Sequence, residues 1–164
     1  MTPTSSVAPL TKTAEVPCTR ERAFELFTRD MSMWWPLSTH SVGGTPSSRV
    51  DMNGALGGDI VETLPDGASA IWGTVDVWEP PARVAFTWHP GGDPKDATHV
   101  DVTFSATDSG RATVVTLVHR GWSARPDGEQ ARQNYDTGWD YVLGRFCSAA
   151  SPDRLTDDRS RRMA

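Results

Sequence analysis

One histidine and one tyrosine near the end of the chain have side chains suited to acid–base chemistry. His119 ends the last predicted strand, and an imidazole exchanges protons near neutral pH. Tyr135 lies in the segment that follows, where its phenol can orient a polar group of a ligand or bond a backbone carbonyl. A structural hydrogen bond is the alternative role for each side chain. The pair therefore predicts either a small active site or two polar anchors of the core.

Tryptophan is frequent in this chain, which has seven. Four of them come from separate predicted elements that a helix packed on a sheet would bring together: Trp35, Trp72, Trp88 and Trp139. Such rings can line a cavity and stack on a flat or apolar ligand. They can equally fill the core, and the sequence leaves both interpretations open.

Four potential metal ligands surround one loop, namely His89, Asp93, Asp96 and His99. Mixed nitrogen and oxygen ligands can bind divalent metals. Their spacing matches no established motif, however, and glycine-proline-aspartate loops are usually solvated turns. His99 and Asp101 also share one strand face, which favours an ordinary polar pair. We therefore expect neither a metal nor a cofactor.

Other catalytic motifs are missing from the sequence. The pairs Gly43-Gly44 and Gly57-Gly58 lack the lysine and hydroxyl pattern of a phosphate-binding loop. No serine lies in a nucleophile-elbow pattern. Cys18 and Cys147 have no obvious histidine and acid partner, so we interpret both as small packing residues.

The bulk composition favours one domain in a cytoplasmic protein. With 164 residues the chain suits a single core, and its net charge of −5 argues against nucleic-acid binding. No apolar run approaches the length of a membrane span, and residues 1–9 do not resemble a signal peptide. We expect a flexible leader over 1–9, a folded domain over 10–150 and a disordered tail over 151–164.

The longest predicted helix is the last element, Asp127 to Ala150, and it must position Tyr135. An aromatic and aliphatic stripe recurs at helical spacing along it: Tyr135, Trp139, Val142 and Phe146. Gln130, three residues after Asp127, completes a pattern similar to a capping box. The stripe must pack against the strands that precede it.

Alternating apolar residues and turn residues predict six antiparallel strands before this helix. They span 10–16, 58–64, 68–78, 84–89, 98–106 and 111–119. Thr19 is a plausible cap for a short helix ending near Arg29, and Met31 to Trp35 can add another turn. Residues 38–56 are rich in Ser and Gly, and we predict a long irregular connection. The class is α+β.

Several short strings, in their order and spacing, resemble the START-like (SRPBCC) superfamily. Within it, the chain is most similar to the bacterial single-domain homologues of the HSP-90 ATPase activator (AHSA-type). The strings begin with Phe27 into Trp34-Trp35-Pro36, Ser41-Val42-Gly43-Gly44, Gly57-Gly58 and Trp72-Gly73. They continue with Trp78-Glu79-Pro80-Pro81, Phe86-Thr87-Trp88, His119-Arg120-Gly121-Trp122, and Tyr135 with Gly138-Trp139. The resemblance that they define covers roughly Thr11 to Ala149.

The resemblance implies a helix-grip fold, in which a curved antiparallel six-stranded sheet wraps around the long C-terminal helix and encloses an apolar cavity. One or two short helices follow the first strand. Relatives bind lipids, hormones or polyketides, and some are cyclases or hydrolases, so the resemblance does not imply one activity.

Three functional hypotheses follow. The first is binding of a small apolar or aromatic molecule at Trp35, Trp72, Trp88, His119, Tyr135 and Trp139. The second is an enzyme of the polyketide cyclase or hydrolase kind that uses His119 and Tyr135. The third is a co-chaperone-like module with a chaperone partner, although the additional domain of the eukaryotic co-chaperone has no counterpart in this sequence. The binding hypothesis is preferred, with no reaction assigned.

Overall fold

One antiparallel sheet forms the frame of the protein, as seen in a computed structural model that describes residues 7–150. The sheet has seven strands in the order β1-β7-β6-β5-β4-β3-β2. The strands are β1 Leu10–Val16, β2 Arg49–Met52, β3 Asp59–Thr63, β4 Ser69–Glu79, β5 Arg83–Trp88, β6 Thr98–Ala106 and β7 Thr113–Arg120. Strands β2 to β7 pair with their neighbours in sequence, and β1 joins the far edge by pairing with β7.

Two α-helices complete the fold, α1 (Arg20–Phe27) and α2 (Gly128–Ala150), with short 3-10 turns after α1, before β6 and before α2. Because α2 packs against β1 and α1, the long helix lies across the curled sheet. This is the predicted α+β helix-grip arrangement, and the prediction is confirmed.

The predicted strand count was one too low. β2 lies inside the segment predicted to be an irregular connection, and it pairs with β3 at the edge of the sheet. It has only four residues, of which Val50 and Met52 are buried. Two inward side chains between Ser-rich and Gly-rich stretches make too short an alternating pattern to identify a strand.

The two helices begin differently. The Thr19 hydroxyl accepts a hydrogen bond from the Arg22 amide, 3.2 Å away, so the predicted cap of α1 is correct. The predicted capping box of α2 is wrong. The Asp127 carboxylate is paired with the Arg125 guanidinium, and the Gln130 amide donates to Asn134 instead. A nearby arginine competes successfully for the carboxylate.

The concave face of the sheet and the apolar face of α2 form one aromatic core. Trp139, Val142 and Phe146 of the predicted stripe are buried, and Tyr135 is half-buried at its upper end. Phe146 packs on Phe27 of α1 at 5.4 Å between ring centroids. Edge-to-face pairs of this kind add to the free energy gained by burying the rings.

No helix within residues 7–150 is long and apolar enough to cross a membrane.

Both cysteines, Cys18 and Cys147, are free and half-buried. Burial raises the pKa of both thiols, which agrees with packing roles. Most of the predicted leader (residues 1–6) and the whole predicted tail (151–164) lie outside the described residues.

Candidate functional site

A cavity of about 390 Å³ opens beside α2, along the stretch from Tyr135 to Val142. Residues 39–42 cover it and belong to a segment, residues 37–44, that we call the roof loop. Trp88 at the end of β5 and the loop that follows it form the opposite wall. α2 contributes Tyr135 and Trp139. The cavity therefore lies between sheet and helix, but loops build much of its wall.

Three of the four predicted tryptophans line this cavity together. The ring centroids of Trp35, Trp88 and Trp139 lie 5.7 to 5.9 Å apart in tilted or edge-to-face pairs. Each side chain is at most 5% exposed. The rings therefore pack on one another as a core and still present one surface to the open space.

Trp72 occupies a different place. It is fully buried behind Trp35 and Trp88, at 5.3 and 5.6 Å between centroids, and is not among the side chains that line the cavity. Its indole N–H donates to the Glu62 carboxylate at 3.1 Å. Trp72 therefore supports the wall from behind and does not reach a ligand directly.

His119 is also behind the wall, and both its ring nitrogens have partners. Trp139 Nε1–H donates to His119 Nδ1 at 3.0 Å, so the imidazole hydrogen lies on Nε2 and faces the Thr98 hydroxyl at 2.6 Å. Thr98 in turn donates to the Trp88 carbonyl at 3.2 Å. We call this series, from Trp139 through His119 and Thr98 to Trp88, the His119 chain.

The His119 chain fixes the imidazole in its neutral form. The side chain is fully buried, and this burial, with a smaller contribution from the positive charge of Arg125, lowers the pKa of His119 to about 3. A histidine with both nitrogens occupied and no exposure is a structural hydrogen-bonding group. The structure therefore places His119 behind the cavity wall, where both ring nitrogens are hydrogen-bonded and the side chain is not among those that line the cavity.

Tyr135 differs from His119, because it is one of the residues that line the cavity. The hydroxyl oxygen accepts a hydrogen bond from Trp88 Nε1–H at 3.1 Å. Burial raises the pKa of Tyr135, while the Trp88 N–H and the nearby Arg125 guanidinium act in the opposite direction. Within the described residues, no acceptor lies within hydrogen-bond distance of the hydroxyl hydrogen. Tyr135 can therefore donate a hydrogen bond to a bound molecule.

The roof loop contributes residues that were not predicted as site residues. His40, Ser41 and Val42 line the cavity, and the His40 ring stacks on Tyr141 of α2 at 5.2 Å. A β-carbon placed on Gly91 would lie 3.8 Å from Val42, so the roof loop and the β5–β6 connection face each other across the opening. Two signals pointed to this loop: the length of the irregular connection, since long loops are often functional, and the string Ser41-Val42-Gly43-Gly44.

The potential metal ligands around the β5–β6 connection do not converge. Asp93 caps a short 3-10 turn, and His99 Nε2 is paired with Asp76 at 2.9 Å. Asp101 is held by Arg83 instead, so His99 and Asp101 form separate pairs. Within residues 7–150 no group of three or more histidine, cysteine and carboxylate side chains is arranged to hold a metal ion.

One protein family matches most of the chain. Residues 17–150 match the family described as activator of Hsp90 ATPase homolog 1-like protein. The chain belongs to this family. The resemblance drawn from the sequence strings is thereby confirmed for an AHSA1-type member, and the match covers both helices and six of the seven strands of the AHSA1-type domain.

Solved structures share the fold. The Aha1 dimer from Colwellia psychrerythraea superposes with a TM-score of 0.63 at 17% identity, over 88% of this chain and 97% of that one. Protein MLL2253 from Mesorhizobium loti gives 0.63 at 16% identity, over 86% and 95%. An anthrahydroquino-γ-pyrone synthase, Txn09, gives 0.62 at 26% identity, over 87% and 97%. The search of curated proteins finds no match to this sequence.

Proposed function

We propose that this AHSA1-type protein binds a flat, apolar or aromatic small molecule that carries an oxygen able to accept a hydrogen bond. The observation that carries the proposal is that Tyr135 lines the same cavity as three tryptophans and that its hydroxyl hydrogen is unused by the described residues. The indole faces would hold the apolar body of the ligand, and Tyr135 would fix its orientation.

The size and chemistry of the cavity support this ligand class. A volume of about 390 Å³ falls within the range of small-molecule sites, roughly 300–1,000 Å³, which are mostly apolar with a few placed polar groups. Trp35, Trp88 and Trp139 supply broad aromatic surface, and Val142 extends it. Aromatic faces favour offset or edge-to-face contact with a planar ligand.

The polar end of the cavity supports an oxygen acceptor in particular. The Tyr135 oxygen already accepts from Trp88, and the Arg125 guanidinium lies close to it. Both contacts withdraw electron density from the phenol, which makes its hydrogen a better donor to a carbonyl or phenolic oxygen. The 26% identical neighbour Txn09 is named as a synthase of an anthrahydroquino-γ-pyrone, an aromatic compound with such oxygens.

A reaction on the bound molecule is the second candidate, and it now depends on Tyr135 without His119. A hydrogen bond from Tyr135, with the positive charge of Arg125 nearby, would stabilise negative charge that develops on a ligand carbonyl. The base that such a cyclase-like step requires is not supplied by His119, because that imidazole is enclosed. The co-chaperone hypothesis rests on family membership alone.

The test compares two probes on two proteins. The probes are 1,2-dihydroxyanthraquinone, which has oxygen acceptors, and N-phenyl-1-naphthylamine, which has none. Removing one hydrogen bond by Tyr135→Phe should weaken binding of the quinone by about three- to tenfold, as measured by quenching of tryptophan fluorescence. Binding of the naphthylamine should stay the same, because the aromatic walls are unchanged.

The matched control is Tyr141→Phe, since Tyr141 lies on the same helix with its side chain about half exposed and is not a cavity-lining residue. It should leave the affinity for both probes unchanged. If neither probe quenches the wild-type protein, the binding proposal is wrong. If the quinone binds equally well to wild type and Tyr135→Phe, the proposed hydrogen bond from Tyr135 to the ligand is wrong, and only the proposed contact with the aromatic walls is kept.

A further inference from the structure

The strand residue Glu62 is buried completely, although its side chain carries a carboxyl group. Glu62 lies on β3, next to the sheet edge formed by β2. Within the described residues it takes part in no salt bridge. A buried carboxyl group requires hydrogen-bond donors in place of water, and the question is which part of the molecule supplies them.

Two of its three donors come from the roof loop. The backbone N–H of Val42 donates to one carboxylate oxygen at 2.8 Å, and that of Gly43 donates to the other at 2.9 Å. The third donor is Trp72 Nε1–H, at 3.1 Å. One side chain thus joins the roof of the cavity to the tryptophan that supports its opposite wall.

The sequence of the roof loop fits this contact closely. A β-carbon added to Gly43 would lie 3.0 Å from a Glu62 oxygen, 3.0 Å from the Ser48 hydroxyl and 3.2 Å from Leu64. A side chain at this position would therefore require Glu62, Ser48 and Leu64 to shift by a few tenths of an ångström, and glycine avoids that shift. Gly44 follows with a φ of +60°, and its N–H donates to Ser41, so the loop turns away directly after the contact.

The rest of the roof loop is held mainly by local contacts. Trp35 Nε1–H donates to the His40 carbonyl at 2.7 Å, and the Ser41 hydroxyl donates to the Leu37 carbonyl at 2.5 Å. These bonds shape the loop but span only a few residues. The Glu62 contacts span 19 and 20 residues and tie the loop to the sheet.

We propose that Glu62 is the positioning residue that holds the roof loop closed over the cavity, and that ligand affinity depends on this contact. The inference rests on the proposed binding function, but the loop contact can be measured without a ligand. Glu62 touches no cavity space itself and acts through Val42, which lines the cavity and faces Gly91 across its opening.

The test uses Glu62→Gln. A glutamine amide has one acceptor oxygen and one N–H₂ group, which can only donate. The N–H₂ group would therefore face the backbone N–H of either Val42 or Gly43, and that hydrogen bond would be lost. Hydrogen exchange of the Val42 and Gly43 amides should become at least about tenfold faster, as expected for losing one hydrogen bond to a charged group. Binding of N-phenyl-1-naphthylamine should weaken by at least about threefold, because the roof is no longer held.

Two further variants make the result specific. Gly43→Ala pushes the loop off Glu62 but leaves the Trp72 contact in place, so it should reproduce the faster exchange even if Glu62→Gln folds poorly. Glu15→Gln makes the same chemical change on the exposed face of β1 and should alter neither exchange nor binding.

Unchanged exchange at Val42 and Gly43 in both Glu62→Gln and Gly43→Ala would overturn the positioning role. Faster exchange with unchanged naphthylamine affinity would overturn the link between the roof loop and the ligand. If the wild-type protein binds no probe, the proposed function fails separately, and amide exchange still decides whether Glu62 positions the roof loop.

Discussion

The His119 chain and the roof loop both depend on a buried polar side chain, yet they differ in what that side chain holds. His119 joins α2, β6 and β5, and all of its partners belong to regular elements. Glu62 joins β3 to a loop, and two of its partners are loop amides. A buried polar side chain thus connects packed strands and helices at His119, whereas at Glu62 it shapes the wall of a cavity.

We expect substitutions in the His119 chain and substitutions at the cavity to have different effects. Substitutions in the His119 chain should lower the free energy of unfolding, because they leave partners buried and unsatisfied between packed elements. Substitutions in or beside the cavity opening should change ligand affinity with little effect on stability.

The largest effect is expected for Trp139→Ala. The ring is 2% exposed and packs on Trp35 and Trp88, and its removal also leaves His119 Nδ1 without a donor. The free energy of unfolding should fall by about 3–5 kcal/mol, as measured by urea denaturation. A loss below about 1 kcal/mol would show that the Trp139 ring is not a core residue. It would contradict the expectation that substitutions in the His119 chain mainly lower the free energy of unfolding.

A pH-dependent effect follows from the low pKa of His119. Unfolded histidine takes up a proton near pH 6.5, whereas folded His119 does so only near pH 3, so its contribution to stability is complete above pH 6.5 and is lost as the pH falls toward 3. At pH 5 the loss should reach about 2 kcal/mol relative to pH 8.

The measurement for this prediction is urea denaturation of wild type and His119→Gln at both pH values. The variant should be less stable at pH 8 but should lack this part of the decline toward pH 5, since glutamine does not titrate. His40→Gln is the comparison: His40 lies in the roof loop, is only partly buried, and has a pKa that burial also lowers, so this variant should keep the part of the decline that belongs to His119. Parallel declines in wild type and His119→Gln would contradict the enclosure of His119.

The smallest effect is expected for Gly138→Ala at the cavity. Gly138 lies within α2, and a β-carbon there would meet only His40, at 4.0 Å. Alanine should stabilise the helix by up to about 1 kcal/mol while it occupies space at the cavity wall. Thermal denaturation should therefore show a higher Tm, and fluorescence quenching should show weaker binding of N-phenyl-1-naphthylamine.

Gly144→Ala is the matched control, because it makes the same change six residues further along α2 with open space around it. It should raise the Tm in the same way and leave the affinity unchanged. If Gly138→Ala and Gly144→Ala behave alike toward the probe, the cavity beside Gly138 is not the binding site.

Much of the fold was predictable because its signals are local. The alternation in residues 98–106 matches β6, and the stripe through Trp139, Val142 and Phe146 identifies α2. Each pattern depends on residues that are close in the chain. β2 was missed because four residues contain too few alternations to distinguish a strand from a connection.

The site was less predictable because its contacts join distant residues. Trp35, Trp88, Tyr135 and Trp139 do line the cavity, but whether His119 faces it depends on hydrogen bonds to Thr98 and Trp139, 20 or more residues away. The part played by Glu62 depends on amides 19 and 20 residues earlier. No spacing rule links these positions.

The order of the strands also determines when the protein can fold as it is synthesised. Of the strands described, β1 is the first to leave the ribosome, yet its partner β7 comes about a hundred residues later, with Leu10 opposite His119. The meander from β2 to β7 can pair as it emerges, but β1 must wait for β7, and the aromatic core must wait for α2. A ribosome-bound chain halted before β7 would therefore hold an unpaired first strand and an uncovered sheet.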